Sequence, residues 1–343
     1  MKKMFLLLLA ASLFSVGSFA QEIDNSDRTN NFYDNEELHP LKTGTIEIAG
    51  EITNPGIIDL ASLPVRSLIV KEALPTAEGN SFVGAYRYDG YSLFDIINLH
   101  TPDKKNQDVF PPIIDLYAEI ENEQGEKVIF SWGEIYYPNH LHEIIIATKV
   151  MRIVPSKTKE LWPLPTDSKI VAGHDLLTSR NISNPTKITI KSASREFAIE
   201  KGMNPMHAPA VDVFVNDSKT LTLTKSAKNI DDASYEAIFY GRGRGIHSTT
   251  PFEGQMLKEV LADQIPFTAQ NIKEAYLIVV ARDGYRGVFT YSEIFNRNDQ
   301  SEVLLIYDPK AETGGAFRLF PASDFFSDRA IKSTNRIYFE QLD

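Results

Sequence analysis

The hydrophobic pattern along the chain switches between a period of two and a helical period. Thr45-Ile46-Glu47-Ile48-Ala49-Gly50 alternates like an opening strand and runs into a turn at Asn54-Pro55-Gly56. Residues 58–63 read as a short helix, and residues 92–99 place Leu93, Ile96 and Ile97 on one helical face. Residues 113–120 and 126–130 read as strands around a turn at Gln124-Gly125. Ser131 then opens a short helix, with Glu134 three residues on as its capping-box partner. Residues 143–148 form a buried strand and residues 186–191 a closing one. Strands and short helices mixed without regular βαβ alternation predict the α+β class.

The chain also repeats itself. Residues 88–97, YDGYSLFDII, match residues 252–261, FEGQMLKEVL. Tyr117, Gly125, Phe130, Glu134, Ile135 and Glu143 align without a gap with Tyr276, Gly284, Phe289, Glu293, Ile294 and Glu302, each 159 residues on. Thr290 and Glu293 repeat the capping-box signature. Arg152-Ile153-Val154-Pro155 matches Arg318-Leu319-Phe320-Pro321, and Arg180, Ile182, Lys187 and Ile188 match Arg329, Ile331, Arg336 and Ile337, now 149 residues on. Four blocks in one order predict two copies of one domain, residues 44–192 and 208–343. Residues 193–207 link them; the first half of this linker is compatible with a helix, and it contains Pro205.

Composition narrows the setting. The 343 residues are 43% hydrophobic, enough for both halves to bury a core. A net charge of −11 argues against a nucleic-acid binder, because the field repels phosphate. The absence of cysteine excludes disulfides, thiolate metal sites and a cysteine nucleophile. Residues 1–20 combine Lys2 and Lys3 with the apolar run 4–14 and the small residues Ser18 and Ala20, which marks a signal peptide cleaved after Ala20. That run is too short to span a bilayer, and no later segment is long and apolar enough, so the mature protein is expected to have no transmembrane segment and to be periplasmic or secreted. Cleavage leaves 33 basic against 46 acidic residues, a charge of −13. The polar stretch 21–43 reads as a flexible N-terminal segment.

The order of these motifs resembles the molybdopterin-binding domain of the sulfite oxidase-like oxidoreductases. The resemblance rests on I-x-I-x-G followed by P-G at 46–56, Y-x-G-Y-x-L at 88–93, the GEI and SEI helices, R-I-V-P at 152–155 and the closing R-x-I…K-I-x-I at 180–190. It implies an α+β fold of two tandem sulfite oxidase-like domains with mixed β-sheets and short helices. It also implies a molybdopterin cofactor, whose metal the family binds through a cysteine upstream of Y-x-G-Y-x-L. The corresponding stretches, 69–86 and 235–251, hold no cysteine.

Three groups of residues carry candidate chemistry. Gly241-Arg242-Gly243-Arg244-Gly245-Ile246-His247 places two guanidiniums at alternate positions of a glycine-thinned loop. One reading makes Gly241, Arg242, Gly243, Arg244 and His247 the border of a pocket for a small anionic ligand. The other makes the stretch a solvated loop whose arginines pair with acids of the other copy. His140 and His142 would share one side of an extended segment and could hold a metal, with His174 or His100 as a third ligand; the bland alternative is two partly exposed polar histidines. Tyr86, Tyr88, Tyr91, Tyr136 and Tyr137 line a pocket or seal the core edge with their hydroxyls in water. No hydrolase, zincin or phosphate-loop motif is present. The reading is an exported, non-catalytic ligand-binding or scaffold protein, with an envelope protein as a further partner; a molybdopterin-dependent oxidoreductase without a cysteine ligand is the alternative.

Overall fold

The computed structural model describes residue 33 and residues 36–311 and 314–342. The expected signal peptide and most of the 21–43 stretch lie outside these residues. The end of that stretch is ordered: His39–Pro40 pairs antiparallel with Val150 and Lys149, and Leu41 is buried. Among the described residues no helix is long and apolar enough to cross a membrane.

The chain is mostly β, with 44% strand and 11% helix, and its four principal sheets form a β-propeller-like arrangement. This overturns the expected α+β fold and, with it, the sulfite oxidase-like and molybdopterin-binding-domain-like architecture. The physical reason is the length of the elements. Each helix is a plug of five or six residues at the end of a strand, such as Leu93–Ile97, Trp132–Tyr136 and Leu257–Leu261. Residues 58–63 shrink to the 3-10 turn Leu60–Ser62, and the first half of the linker forms no helix. The longest strands, Arg66–Thr76 and Gly79–Ser92, form a hairpin in a segment whose polar residues on both faces hide the period-two signal.

The two halves repeat one topology. In the first, Glu47–Gly50 pairs parallel with Pro185–Ser192, which pairs antiparallel with Leu116–Asn122, which pairs with Lys127–Ser131. In the second, Val211–Val215, Thr334–Gln341, Ala275–Ala281 and Arg286–Thr290 follow the same order and directions. The other two sheets correspond as well. The spatial order Arg66–Thr76, Gly79–Ser92, Ile144–Arg152, Lys169–Ala172 matches Asp232–Tyr235, Phe252–Met256, Val303–Tyr307, Phe317–Pro321.

Each five-stranded inner sheet buries one face in its own half. Ile48, Ile120, Phe130 and Ile188 serve the first core, and Val213, Leu277, Phe289 and Ile337 the second. The opposite faces meet each other through Tyr117, Ile129, Tyr276, Ile278 and Val288. Tyr117 stacks on Tyr276 at 5.3 Å, so two equivalent residues touch across a pseudo-dyad. The linker runs along this junction and inserts Ala193 and Phe197 into the shared core. It is fastened to the second hairpin by the Glu200 amide, which donates to the Asp283 carbonyl at 2.9 Å. Gly284 lies beneath it at φ +86°, where a Cβ would fall 2.1 Å from the Ala198 carbonyl oxygen.

Candidate functional site at the pseudo-dyad

The two capping boxes face each other across the junction. Ser131 and Thr290 cap the helices Trp132–Tyr136 and Tyr291–Phe295, and Glu134 and Glu293 close the boxes. Each cap also crosses to the other half: Ser131 Oγ donates to Glu293 Oε2 at 2.6 Å, and Thr290 Oγ1 donates to Glu134 Oε1 at 3.1 Å. Two buried arginines complete the arrangement. Arg180 grips Glu134 with Nη1 and Nη2, both at 3.0 Å, and Asp175 with Nη2 at 2.6 Å. Arg329 takes Asp324 at 2.7 Å and Glu293 at 2.8 Å. Each guanidinium packs on a phenylalanine at 4.3 Å, Phe130 for Arg180 and Phe289 for Arg329. All of these residues occur in equivalent pairs.

The symmetry breaks at His174. Its Nε2 lies 3.0 Å from Glu134 Oε2, while Ser323 stands at the equivalent place in the second half. The electrostatics follow. Burial favours the neutral acid at Glu134, but Arg180 and His174 outweigh it and hold the carboxyl down at about 2. Glu293 is buried too, has one arginine and no histidine, and faces the charge of Glu134, so its carboxyl is pushed above the usual range.

Gly133 makes room for this packing. A Cβ on it would lie 2.0 Å from Arg329 Cζ, and that guanidinium is held on every side. Gly133→Ala is expected to cost about 2 kcal/mol or more through displacement of Arg329. Urea denaturation at pH 7 checks this, and an unchanged midpoint would mean that Arg329 yields freely.

A pocket of about 290 Å³ opens beside this network, on the pseudo-dyad itself. Its lining pairs off across the repeat: Asn139 with Asn298, Pro138 with Arg297, His140 with Asp299, and His174 with Ser323. Antiparallel bridges Pro138–Asp324 and Asp175–Arg297 position the two walls alike. One wall, built of residues 138–140 and 322–324, presents the His140 imidazole and Ser323. The other, built of residues 173–175 and 297–299, presents the His174 imidazole beside a guanidinium paired with its neighbouring carboxylate, Arg297 with Asp299.

The structure separates the histidine pair of the sequence. His140 faces the dyad pocket with His174, whereas His142 turns to the other side, with Nδ1 3.0 Å from Ser92 Oγ and 3.6 Å from Asp95 Oδ2. Residues 140–142 form a turn rather than an extended run, so side chains two apart diverge. Among the described residues no group of three or more His, Cys, Asp or Glu is placed to hold a metal ion.

The glycine–arginine stretch forms the tip of the hairpin Phe239–Gly241 and Gly245–Ser248. Arg242 is half-exposed and donates to Asp328 of its own half at 2.7 Å, and Arg244 is exposed. His247 folds back over Gly241, where a Cβ would fall 2.5 Å from its Nε2. Because residues 242–244 are the turn, the alternate spacing does not aim the two arginines along one strand face. A neighbouring pocket of about 330 Å³ is bounded by Tyr240, Phe325 and Phe326 rather than by Arg242, Arg244 or His247.

Tyr86 and Tyr88 are core residues whose hydroxyls bond within the protein, to the Pro163 carbonyl at 2.6 Å and to Glu72 at 3.2 Å. The residues are equally unsuited to a molybdenum–pterin group bound as the resemblance implies. The stretches 69–86 and 235–251 form strand hairpins without a thiol. No protein-family profile matches the chain, and no curated protein matches it in sequence.

The main signal is legible in the sequence: Glu134/Glu293 and Arg180/Arg329 are matched positions of the repeat. Charged residues that recur in both copies beside apolar strands are a mark of a shared buried role. What the spacing did not show is that each acid is bonded by the cap of the other half.

Proposed function

We propose that the chain is an exported, non-catalytic ligand-binding or scaffold protein made by duplication, and that its ligand site is the pocket on the pseudo-dyad. The reading is carried by one observation: paired positions around that pocket have diverged in chemistry. Beside it the paired Glu, Arg, Asp and hydroxyl residues remain alike. A purely structural junction has no need of an imidazole facing a wall that carries a second imidazole beside a guanidinium–carboxylate pair. Such a wall offers directional donors and acceptors to a small, polar, asymmetric ligand. The acid at its floor, Glu134, is already matched by Arg180, and Asp299 by Arg297, so the pocket presents hydrogen-bonding groups together with the carboxylate of Glu143.

The reading is tested by thermal-shift screening of the full chain against amino acids, sugars, carboxylates and phosphates, followed by titration calorimetry. His140→Ala and Asp299→Ala stand on opposite walls and are each expected to weaken the binding about tenfold, the loss of one directional hydrogen bond. His142→Ala, which faces away, is expected to leave affinity unchanged. Binding that is indifferent to both His140→Ala and Asp299→Ala would remove the ligand from this pocket and leave the scaffold role.

A further inference from the structure

We infer that Arg286 and Asn106 form a second binding site, away from the dyad pocket, for a small carboxylate that carries a neighbouring hydroxyl or amino group. Arg286 is 2% exposed and belongs to the wall of a cavity of about 700 Å³ between the two halves and the linker. Its Nη2 is 3.1 Å from Asp115 Oδ2, but its Nε and Nη1 are buried with no acceptor among the described residues. Asn106 donates through Nδ2 to the same oxygen, Asp115 Oδ2, at 3.0 Å, and its Oδ1 is also buried without a partner. Both residues are anchored on one carboxylate oxygen, so unpaired donors and an unpaired acceptor lie side by side. Buried polar groups without partners are costly, and a cationic donor more so than a neutral one.

The remaining charges define the ligand. Asp115 is already matched by Lys104, whose Nζ lies 2.5 Å from Oδ1; of the other cations on the wall, Arg195 is taken by Asp217 and Glu340 and Lys105 is exposed, so Arg286 is the buried cation with donors to spare. Glu51 shares the cavity wall and accepts from the Ser192 amide and hydroxyl and from the Lys105 amide, at 2.9–3.0 Å. Its charge opposes a second anionic group, which selects a monoanion over a dianion. A carboxylate satisfies Arg286, and a hydroxyl or amine beside it satisfies Asn106 Oδ1.

Geometry prepares the guanidinium for this. It stacks on Phe110 at 4.1 Å and lies 5.6 Å from Phe197 of the linker, which leaves its edges rather than its faces to a ligand. The feature belongs to the second half alone. The equivalent residue, Lys127, is one-third exposed and lies 3.6 Å from Glu119.

Calorimetric titration of the full chain with lactate, alanine, propionate and inorganic phosphate tests the assignment. Lactate or alanine is expected to bind at least tenfold more tightly than propionate, which lacks the donor for Asn106. Phosphate is expected not to bind. Arg286→Gln should weaken binding about 10- to 100-fold, and Asn106→Leu should reduce lactate or alanine to the level of propionate. Val109→Trp places an indole at the exposed rim of the cavity without touching the buried charges, and is expected to abolish binding; it decides the matter if Arg286→Gln does not fold. Each titration is repeated in His140→Ala, which impairs the dyad pocket; the binding sensitive to Arg286→Gln and Val109→Trp is expected to persist there, and its loss in His140→Ala would assign it to the dyad pocket and overturn this one. The assignment is overturned if no probe binds, since water alone then satisfies the buried groups. It is also overturned if phosphate alone binds, if propionate binds as tightly as the others, or if Val109→Trp retains full affinity.

Discussion

Glu134→Gln is expected to lower the folding stability by about 3 kcal/mol at pH 7, clearly more than Glu293→Gln, although the two acids are equivalent in the repeat. Glutamine keeps the capping box in both cases, because its side-chain oxygen still accepts from the cap residue amide, at Ser131 or Thr290. What differs is the charge. At Glu134 the ionised form is favoured by Arg180 and His174, and the carboxyl falls from 4.5 to about 2. Its contribution is therefore fully present above pH 4.5 and is lost as the pH falls through about 2.

Glu293 has the opposite sign. Burial and the charge of Glu134 raise it, so its ionised form costs stability at neutral pH, and that cost disappears as the native protein takes up its proton on mild acidification. Urea titrations between pH 7 and pH 2.5 should therefore show wild-type stability rising slightly and then falling below pH 4.5. Glu134→Gln should lose much of the acid limb and Glu293→Gln the initial rise. Equal losses at pH 7 in the two variants would show that His174 does not distinguish the two sites.

The second large effect is expected when the halves are parted. Residues 36–192 expressed alone should give no cooperative unfolding transition, and mixing with residues 193–343 should restore one. Separation exposes Tyr117 and Ile129, leaves Ser131 without Glu293, and takes the Thr290 hydroxyl from Glu134 and Arg180. Each large apolar side chain returned to water costs about 1.5–3 kcal/mol, and each unpaired buried charge costs several more. Together these amount to on the order of 10 kcal/mol, comparable with the whole stability of a typical domain. Circular dichroism melts of each half and of the mixture measure this. A half that melts cooperatively within a few degrees of the full chain would mean that the junction is dispensable.

The buried charges also explain why a single asymmetric residue can matter. In a network whose acids and arginines match in pairs, His174 adds a hydrogen bond to one carboxylate only. It divides two otherwise equal acids into one held ionised and one pushed toward its neutral form, and the dyad pocket opens at that place.

Features that depend on neighbours a few residues apart are written in the local sequence. The capping boxes at Ser131/Glu134 and Thr290/Glu293, the turns at Gly125 and Gly284, and the strands around 46–50, 127–131 and 186–191 all follow from local hydrogen bonding and periodicity. So does the pairing of Glu134 with Glu293 and of Arg180 with Arg329 as repeated positions. Tertiary structure alone decided the rest. The long hairpin 66–92 owes its place to partner strands and not to its own pattern, and that turned an expected α+β fold into a mostly β one. His140 and His142, two residues apart, went to different neighbours because a turn replaced an extended segment. Ser131 meets Glu293 across 162 residues, and Arg286 meets Asp115 across a domain junction. No local signal encodes such contacts, because burial supplies their energy, and burial exists only once the two halves have closed on each other.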